Sequence, residues 1–357
     1  MNPQAELILN VFKIFGLAAF AFFFAMAWTP LLTRYLYRYR IWRKSVRTQS
    51  PDGTKTPIFA SLHKDRETST PRMGGLLIWI TTLAVITLFW ALAKLTADPL
   101  FDKLNFLSRN QTWLPLFTLV AASLLGALDD LLQVFQRGSY VAGGLTFRVR
   151  LGVILLIALA GAYWFSARLG QNAIYLPGFG DVVIGLWFIP LFIITMLAVF
   201  STSVIDGLDG LAGGVFASIF AAYGGIAFFR GQVDLAAFSS VLLGALLAFL
   251  WFNIPPARFY MGETGILGLT TTLTVIAFLT NSVVVLPIIA LVPAAEAASV
   301  IVQFASKRWR HKKVFLVAPV HHHFEARGWP PYKVTMRFWV MSVVFAIIGM
   351  VVALIGR

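Results

Sequence analysis

Apolar residues come in long unbroken runs along this chain, and the polar residues collect in the gaps between them. Ten runs of about 17–25 residues stand out, near 8–31, 75–95, 112–132, 151–168, 183–202, 211–229, 236–252, 266–281, 283–305 and 336–355. Each is long enough to cross a hydrocarbon core of roughly 30 Å as a helix. The fifth and sixth have the least distinct ends. The ninth carries Glu296 and Gln303, which should face the helix bundle, because an acid turned toward lipid is costly; Glu296 is therefore read as a functional or packing residue. No gap between runs exceeds about 45 residues. Residues 1–357 are therefore read as a single polytopic membrane domain of the all-α class, with about ten transmembrane helices.

Composition agrees with the pattern. Hydrophobic residues make up 59% of the chain and charged residues 12%, with mean hydropathy +0.80; a soluble domain carries about twice that charge. The 32 Phe and 11 Trp suit lipid-facing surface and interfacial belts. There is no cysteine, which rules out disulfides and thiolate metal sites. Glu6 stands ahead of the first run and no basic segment precedes it, so that run is expected to be a retained span and not a cleaved signal.

The basic residues give an orientation. Segment 34–72 holds ten Lys and Arg and segment 307–337 holds eight; with Arg137, Arg148, Arg150 and Arg258 they make 22 of the 29. All fall in alternate loops, which the positive-inside rule places in the cytoplasm, with both termini outside. The net charge of +14 is then mostly a membrane-surface feature. A nucleic-acid partner is not expected, since no basic face with stacking aromatics is evident.

Candidate chemistry lies on that same side. Residues 318–329 read Ala-Pro-Val-His-His-His-Phe-Glu-Ala-Arg-Gly-Trp and hold three of the five histidines, flanked by Lys307, Arg308, Arg310, Lys312, Lys313, Arg327 and Lys333. Such a cluster suits an anionic, phosphate-bearing substrate; the alternative is a solvated basic loop facing anionic lipid. Asp129 and Asp130 close the third run. Asp206 and Asp209 lie in Ile-Asp-Gly-Leu-Asp-Gly-Leu-Ala, and Glu263 in Tyr-Met-Gly-Glu-Thr-Gly. Adjacent Asp129 and Asp130 point about 100° apart on a helix and cannot do the same job. Asp206 and Asp209 share a face if their turn is helical. Five acids at membrane-proximal helix ends call for compensation, and oxygen-only ligands point to Mg²⁺ or Mn²⁺ over zinc. Glycines 207, 210, 262 and 265 beside the acids would let backbone approach a phosphate.

These motifs, taken in order, resemble the phospho-N-acetylmuramoyl-pentapeptide transferases, within the polyprenyl-phosphate N-acetylhexosamine-1-phosphate transferases. The matching residues are Thr70-Pro71-Arg72-Met73-Gly74-Gly75, Asp129-Asp130, Gly144-Leu145 ahead of Arg150, and Asp206-Gly207-Leu208-Asp209-Gly210-Leu211-Ala212. They continue with Asn253 and Glu263, Glu296 with Ser299, Ala318 to Glu325 with Gly328-Trp329, and Arg337-Phe338-Trp339. The triple histidine with its flanks is specific to the muramoyl-pentapeptide branch.

The resemblance implies transfer of phospho-MurNAc-pentapeptide from UDP-MurNAc-pentapeptide to undecaprenyl phosphate, forming lipid I and UMP with Mg²⁺, or Mn²⁺, as cofactor. It implies a bacterial inner-membrane location, membrane lipids as surroundings and a homodimer as a further partner. Asp129 and Asp130 would bind or activate the lipid phosphate. Asp206 would sit near the pyrophosphate and the metal, Asp209 near the uridine, and Tyr260 would stack on uracil. His321, His322 and His323 would organise the diphosphate and sugar, Glu263 would hold the metal, and Thr70, Arg150 and Asn253 would contact substrate.

The chain also departs from the pattern. Glu263 replaces an Asp, Gln133 a Lys, Ser203 and Phe200 two Asn, Glu67 a Lys, Ser69 a Gly and Arg72 a Thr. A divergent enzyme with compensating groups, a non-catalytic lipid- or nucleotide-binding homologue, a UDP-GlcNAc-using relative and a transporter are the alternatives.

Overall fold

The computed structural model describes residues 3–44, 68–96, 98–138 and 143–355. Segment 45–60, expected to be cytoplasmic, and Glu67 lie outside them. The helices are α1 (Pro3–Arg38), α2 (Leu76–Thr96), the short α3 (Pro99–Leu104), α4 (Trp113–Val134), α5 (Phe147–Tyr163) and α6 (Phe188–Ser201). They continue with α7 (Leu211–Phe229), α8 (Val233–Asn253), α9 (Glu263–Leu279), the one-turn α10 (Leu286–Ile289), α11 (Leu291–Arg310), the short α12 (Val320–Ala326) and α13 (Pro331–Leu354). The protein is an all-α multi-pass membrane protein.

Each of the ten apolar runs contains a helix, but not ten equal spans. Among the described residues, eight helical segments are long and apolar enough to cross a membrane alone. The ninth run is broken. Residues Val283–Ile289 and Leu291–Arg310 meet at 80°, because Pro293 has no N–H for the carbonyl of Ile289 and the helix must restart at Leu291. The eighth run is α9, only 17 residues long, and every residue from Thr264 to Leu279 is buried. Two of its threonines turn their hydroxyls onto their own helix: Thr270 donates to Ile266 O at 2.9 Å and Thr271 to Leu267 O at 2.9 Å. A helix sheathed by protein on all sides need not match the thickness of the lipid.

Around α9 the bundle is layered. Helix α4 lies directly against it, α7 and α8 pack on each other, α1 covers α8, and α13 covers α7. The outer helices leave their other faces bare, as at Phe12, Phe15, Phe23 and Leu31 on α1 and Met336, Val340 and Ile347 on α13. Apolar side chains at such positions are what a lipid-facing surface requires.

The two ends of α9 differ. Its C-terminal end meets a β-hairpin absent from the sequence reading, β1 (Ala173–Leu176) paired antiparallel with β2 (Gly180–Val183). Asn281 pins it, accepting from Tyr175 N at 2.9 Å and donating to Asp181 Oδ1 at 3.0 Å. The N-terminal end of α9 meets the acids.

Candidate active site

The last turns of helix α4 carry Gly-Ala-Leu-Asp-Asp, and both acids are buried, Asp129 at 1% exposure and Asp130 at 0%. The helical twist sends them apart, as anticipated. Asp130 Oδ2 accepts from Thr264 N at 2.9 Å, in the first turn of α9. An acid from one helix thus caps the N-terminus of its neighbour, where backbone N–H groups and the helix dipole favour negative charge. Its other oxygen accepts from Arg72 Nε at 3.2 Å. Asp129 accepts from Leu145 N and, at 2.8 Å, from Gln133 Nε2. Arg150, from α5, stands between Asp129 at 3.6 Å and Glu263 at 2.8 Å.

Glycines make this approach possible. A Cβ on Gly126 would strike the Glu263 carbonyl, so α4 and α9 touch backbone to backbone one turn before Asp129. Gly75 meets Gly265 in the same way at the start of α2. The 71–75 loop is tied down by Gly74 N to Tyr260 O and Gly75 N to Met261 O, each 2.8 Å. Gly262 sits at φ +72°, a conformation that a side chain would strain, and a Cβ there would also meet Asp130.

Asp206 follows the short 3₁₀ turn Thr202–Ile205, and its Oδ2 accepts from Gly262 N at 3.0 Å. Burial pushes its carboxyl up to about 7, with Glu263 and Asp130 adding to the rise and Arg72 and the Gly262 N–H opposing it. Asp209 does not share a face with it. Residues 206–210 form turns, and α7 starts only at Leu211. Asp209 Oδ2 instead accepts from Ala257 N at 3.2 Å, and its carbonyl accepts from Thr335 Oγ1 at 3.1 Å. Asn253 bridges the two loops, accepting from Gly210 N at 2.9 Å and donating to Phe259 O at 2.8 Å. Both ends of its amide therefore hold loop backbone. Tyr260 lies half-buried on the same loop, and Thr70 stands two residues ahead of Arg72 with no hydrogen bond of its own among the described residues.

The histidines divide. His321 and His322 are buried on α12, with rings 4.1 Å apart, and a Cβ on Gly207 would meet Nε2 of both. They therefore back the turn that carries Asp206. A carboxylate stands behind each: Glu325 Oε2 is 2.6 Å from His322 Nδ1, and Glu296 Oε2 is 3.0 Å from His321 Nδ1. The first pair is a short hydrogen bond. The second does not meet hydrogen-bond geometry, and both His321 ring nitrogens and Glu296 Oε1 are buried without a hydrogen bond. His323 turns away, its Nδ1 accepting from Leu316 N at 3.1 Å and its ring lying edge-on to Phe315. Burial, then Arg327, lowers its pKa below the usual imidazole value.

The charges at the site bear on the expected cation. Asp129, Asp130, Asp206 and Glu263 meet Arg72 and Arg150, so these acids outnumber these arginines by two. Glu263 Oε2 is buried with no hydrogen bond. Among the described residues no three of His, Cys, Asp and Glu gather closely enough to hold a metal on their own. A hard dication such as Mg²⁺ asks for less, one or two carboxylates with water and substrate phosphate filling the rest. The donor type, the charge deficit and the orphaned Glu263 oxygen all fit such an ion.

Three features escaped the sequence reading. Gln133, seen only as a lost lysine, accepts from Arg43, which is itself buried. Glu296, already read as a functional or packing residue, and Glu325 stand behind the histidines, a pairing the sequence did not show. Arg72, seen only as a departure, enters the acid cluster. An arginine flanked by Pro71 and the Met73-Gly74-Gly75 turn was the available signal.

Comparison with known proteins gives a consistent result. The Glycosyl transferase family 4 profile matches residues 112–281. A phospho-N-acetylmuramoyl-pentapeptide-transferase of Anoxybacillus flavithermus is 34% identical over 335 residues, 93% of this chain and 95% of its own length. Proteins of the same description from Chloroflexus aurantiacus and Levilactobacillus brevis are 32% and 34% identical; they cover 99% and 93% of this chain and 92% and 96% of their own lengths.

Proposed function

The chain belongs to the phospho-N-acetylmuramoyl-pentapeptide-transferase family, and from that premise we infer that it transfers phospho-MurNAc-pentapeptide from UDP-MurNAc-pentapeptide to undecaprenyl phosphate. The observation that carries this reading is the set of buried Asp129 and Asp130 with partly buried Asp206 and Glu263, drawn together by Arg72 and Arg150 at one end of a membrane-spanning bundle. An acceptor with an apolar tail reaches such a site from the bilayer, and a nucleotide sugar reaches it from the adjoining aqueous face. A phosphate oxygen of the acceptor attacks the sugar-linked phosphorus of the donor. The anhydride bond to UMP breaks, UMP leaves, and lipid I remains in the membrane.

The side chains divide the work by position. Asp129 and Asp130 serve the acceptor side, Asp130 acting through Arg72 and the first turn of α9. His321 and His322, backed by Glu296 and Glu325, face the turn that carries Asp206 and present imidazole nitrogens to the diphosphate and sugar. Asp209, with Tyr260 on the neighbouring loop, serves the nucleoside. Glu263 and Asp206 would hold Mg²⁺, or Mn²⁺, which supplies neutralisation of charge on the transferred phosphoryl group. Arg43, Arg72 and Arg150 restore the positive charge that Gln133 lacks, which favours a working enzyme over a binding-only homologue.

The site lies on the cytoplasmic side of the bacterial inner membrane, as the Lys and Arg bias implies. The test is direct: purified protein with UDP-MurNAc-pentapeptide, undecaprenyl phosphate and Mg²⁺ should release UMP and form lipid I. Absence of UMP release by well-folded protein with both substrates present would overturn the reading.

A further inference from the structure

Arg72 is built in a manner unlike the other arginines at the acid cluster. Its backbone is fixed, with N donating to Ile41 O at 2.7 Å and the adjoining glycines held to Tyr260 and Met261. Its side chain is only 17% exposed, and Nε donates to Asp130, which is wholly buried. Among the described residues that is its only side-chain hydrogen bond, and its two terminal nitrogens have no protein partner although they are not sealed from solvent. Burial works against its charge, and Asp130, Asp206 and Glu263 more than offset it. A guanidinium anchored through Nε offers a flat edge with two parallel donor directions, the shape that matches two oxygens of one phosphate.

A simple neutralising role for Asp130 does not account for this arrangement. That task needs one positive charge near one carboxylate, and Lys would serve. Nor does Arg150 duplicate it, since Arg150 is spread between Asp129 and Glu263. Resting on the transferase reading above, we propose that the terminal nitrogens of Arg72 receive a phosphoryl group of a substrate, making Arg72 a specificity-determining binding residue of this chain. The shared chemistry is a phosphate oxygen pair, carried either by the polyprenyl acceptor or by the nucleotide diphosphate.

The experiment measures two dissociation constants calorimetrically in detergent, for undecaprenyl phosphate and for UDP-MurNAc-pentapeptide, in the native protein, Arg72→Lys and Arg72→Met. Arg72→Lys keeps the charge beside Asp130 and removes the paired donors. It should weaken one of the two ligands by about tenfold or more, the scale of hydrogen bonds to charged groups, and leave the other nearly unchanged. Loss confined to undecaprenyl phosphate assigns the acceptor; loss confined to the nucleotide assigns the donor. Thermal unfolding of each variant guards against a fold defect. Native affinity for both ligands in Arg72→Lys overturns the proposal, whatever happens to Arg72→Met. Native protein that binds neither ligand would instead overturn the transferase reading on which the proposal rests.

Discussion

At the scale of single residues, the site holds more acids than the arginines beside them, and its behaviour with pH follows from that. Asp206 has its carboxyl pushed up to about 7, so the folded protein favours the protonated form and gains relative to the unfolded chain at low pH. Its ionisation therefore costs stability progressively as pH rises from about 4, the usual carboxylate value, to about 7. A divalent cation competes with that proton. Adding Mg²⁺ or Mn²⁺ should raise the thermal midpoint more at pH 8 than at pH 5, as followed by tryptophan fluorescence; an equal rise at both would remove Asp206 from the cation site. Glu263→Gln and Asp206→Asn keep shape but lose charge, and each should lower turnover by about 10²-fold or more in the UMP assay. Glu325→Gln tests a different role. It keeps a group beside His322 Nδ1 but no longer holds the imidazole by a carboxylate, and kcat should fall by at least tenfold with KM little changed, since general-acid or general-base contributions are typically ~10²-fold or more.

Among the helices, glycine spacing decides whether those residues meet. Helices α4 and α9 approach backbone to backbone at Gly126, and without that contact Asp130 could not reach Thr264 N. Gly126→Val should wedge the pair apart at a cost of about 1–3 kcal/mol. Turnover should fall far more than the thermal midpoint; near-native turnover would show that the capping contact is dispensable. The ten runs, the acids and the histidines were legible in the sequence because each depends on local composition. The break at Ala290 was written in Pro287 and Pro293 but masked by the hydrophobicity around them. What stayed hidden were meetings between distant segments: Arg72 with Asp130, Arg43 with Gln133, Glu296 with His321. Hydrophobic period assigns a residue to a helix or a gap and carries no information about which gap it will face. The turn at 206–210 shows the same limit, for a spacing of three implies a shared face only where the backbone is helical.

For the molecule as a whole, the two ends of the bundle have separate tasks. The hairpin end is fastened by Asn281 and by Lys13, whose Nζ is 2.7 Å from Asp234 and 2.8 Å from Asn105 O. The other end gathers Asp129, Asp130, Asp206 and Glu263 with Arg72 and Arg150. Because the native chain has no cysteine, single cysteines placed at 308–313 report sidedness cleanly. They should resist a membrane-impermeant maleimide applied outside intact cells and react after permeabilisation; labelling of intact cells would put the site on the wrong face for a nucleotide sugar. The chain order of the site has its own consequence during synthesis. Asp130 must wait for Thr264, 134 residues later, which at ribosomal speed is a delay on the order of ten seconds. Arg72 has already been made by then and sits at the head of the preceding span, so the nascent chain carries its own counter-charge. It can shelter Asp130 at the translocon until the central helix arrives to take over the cap.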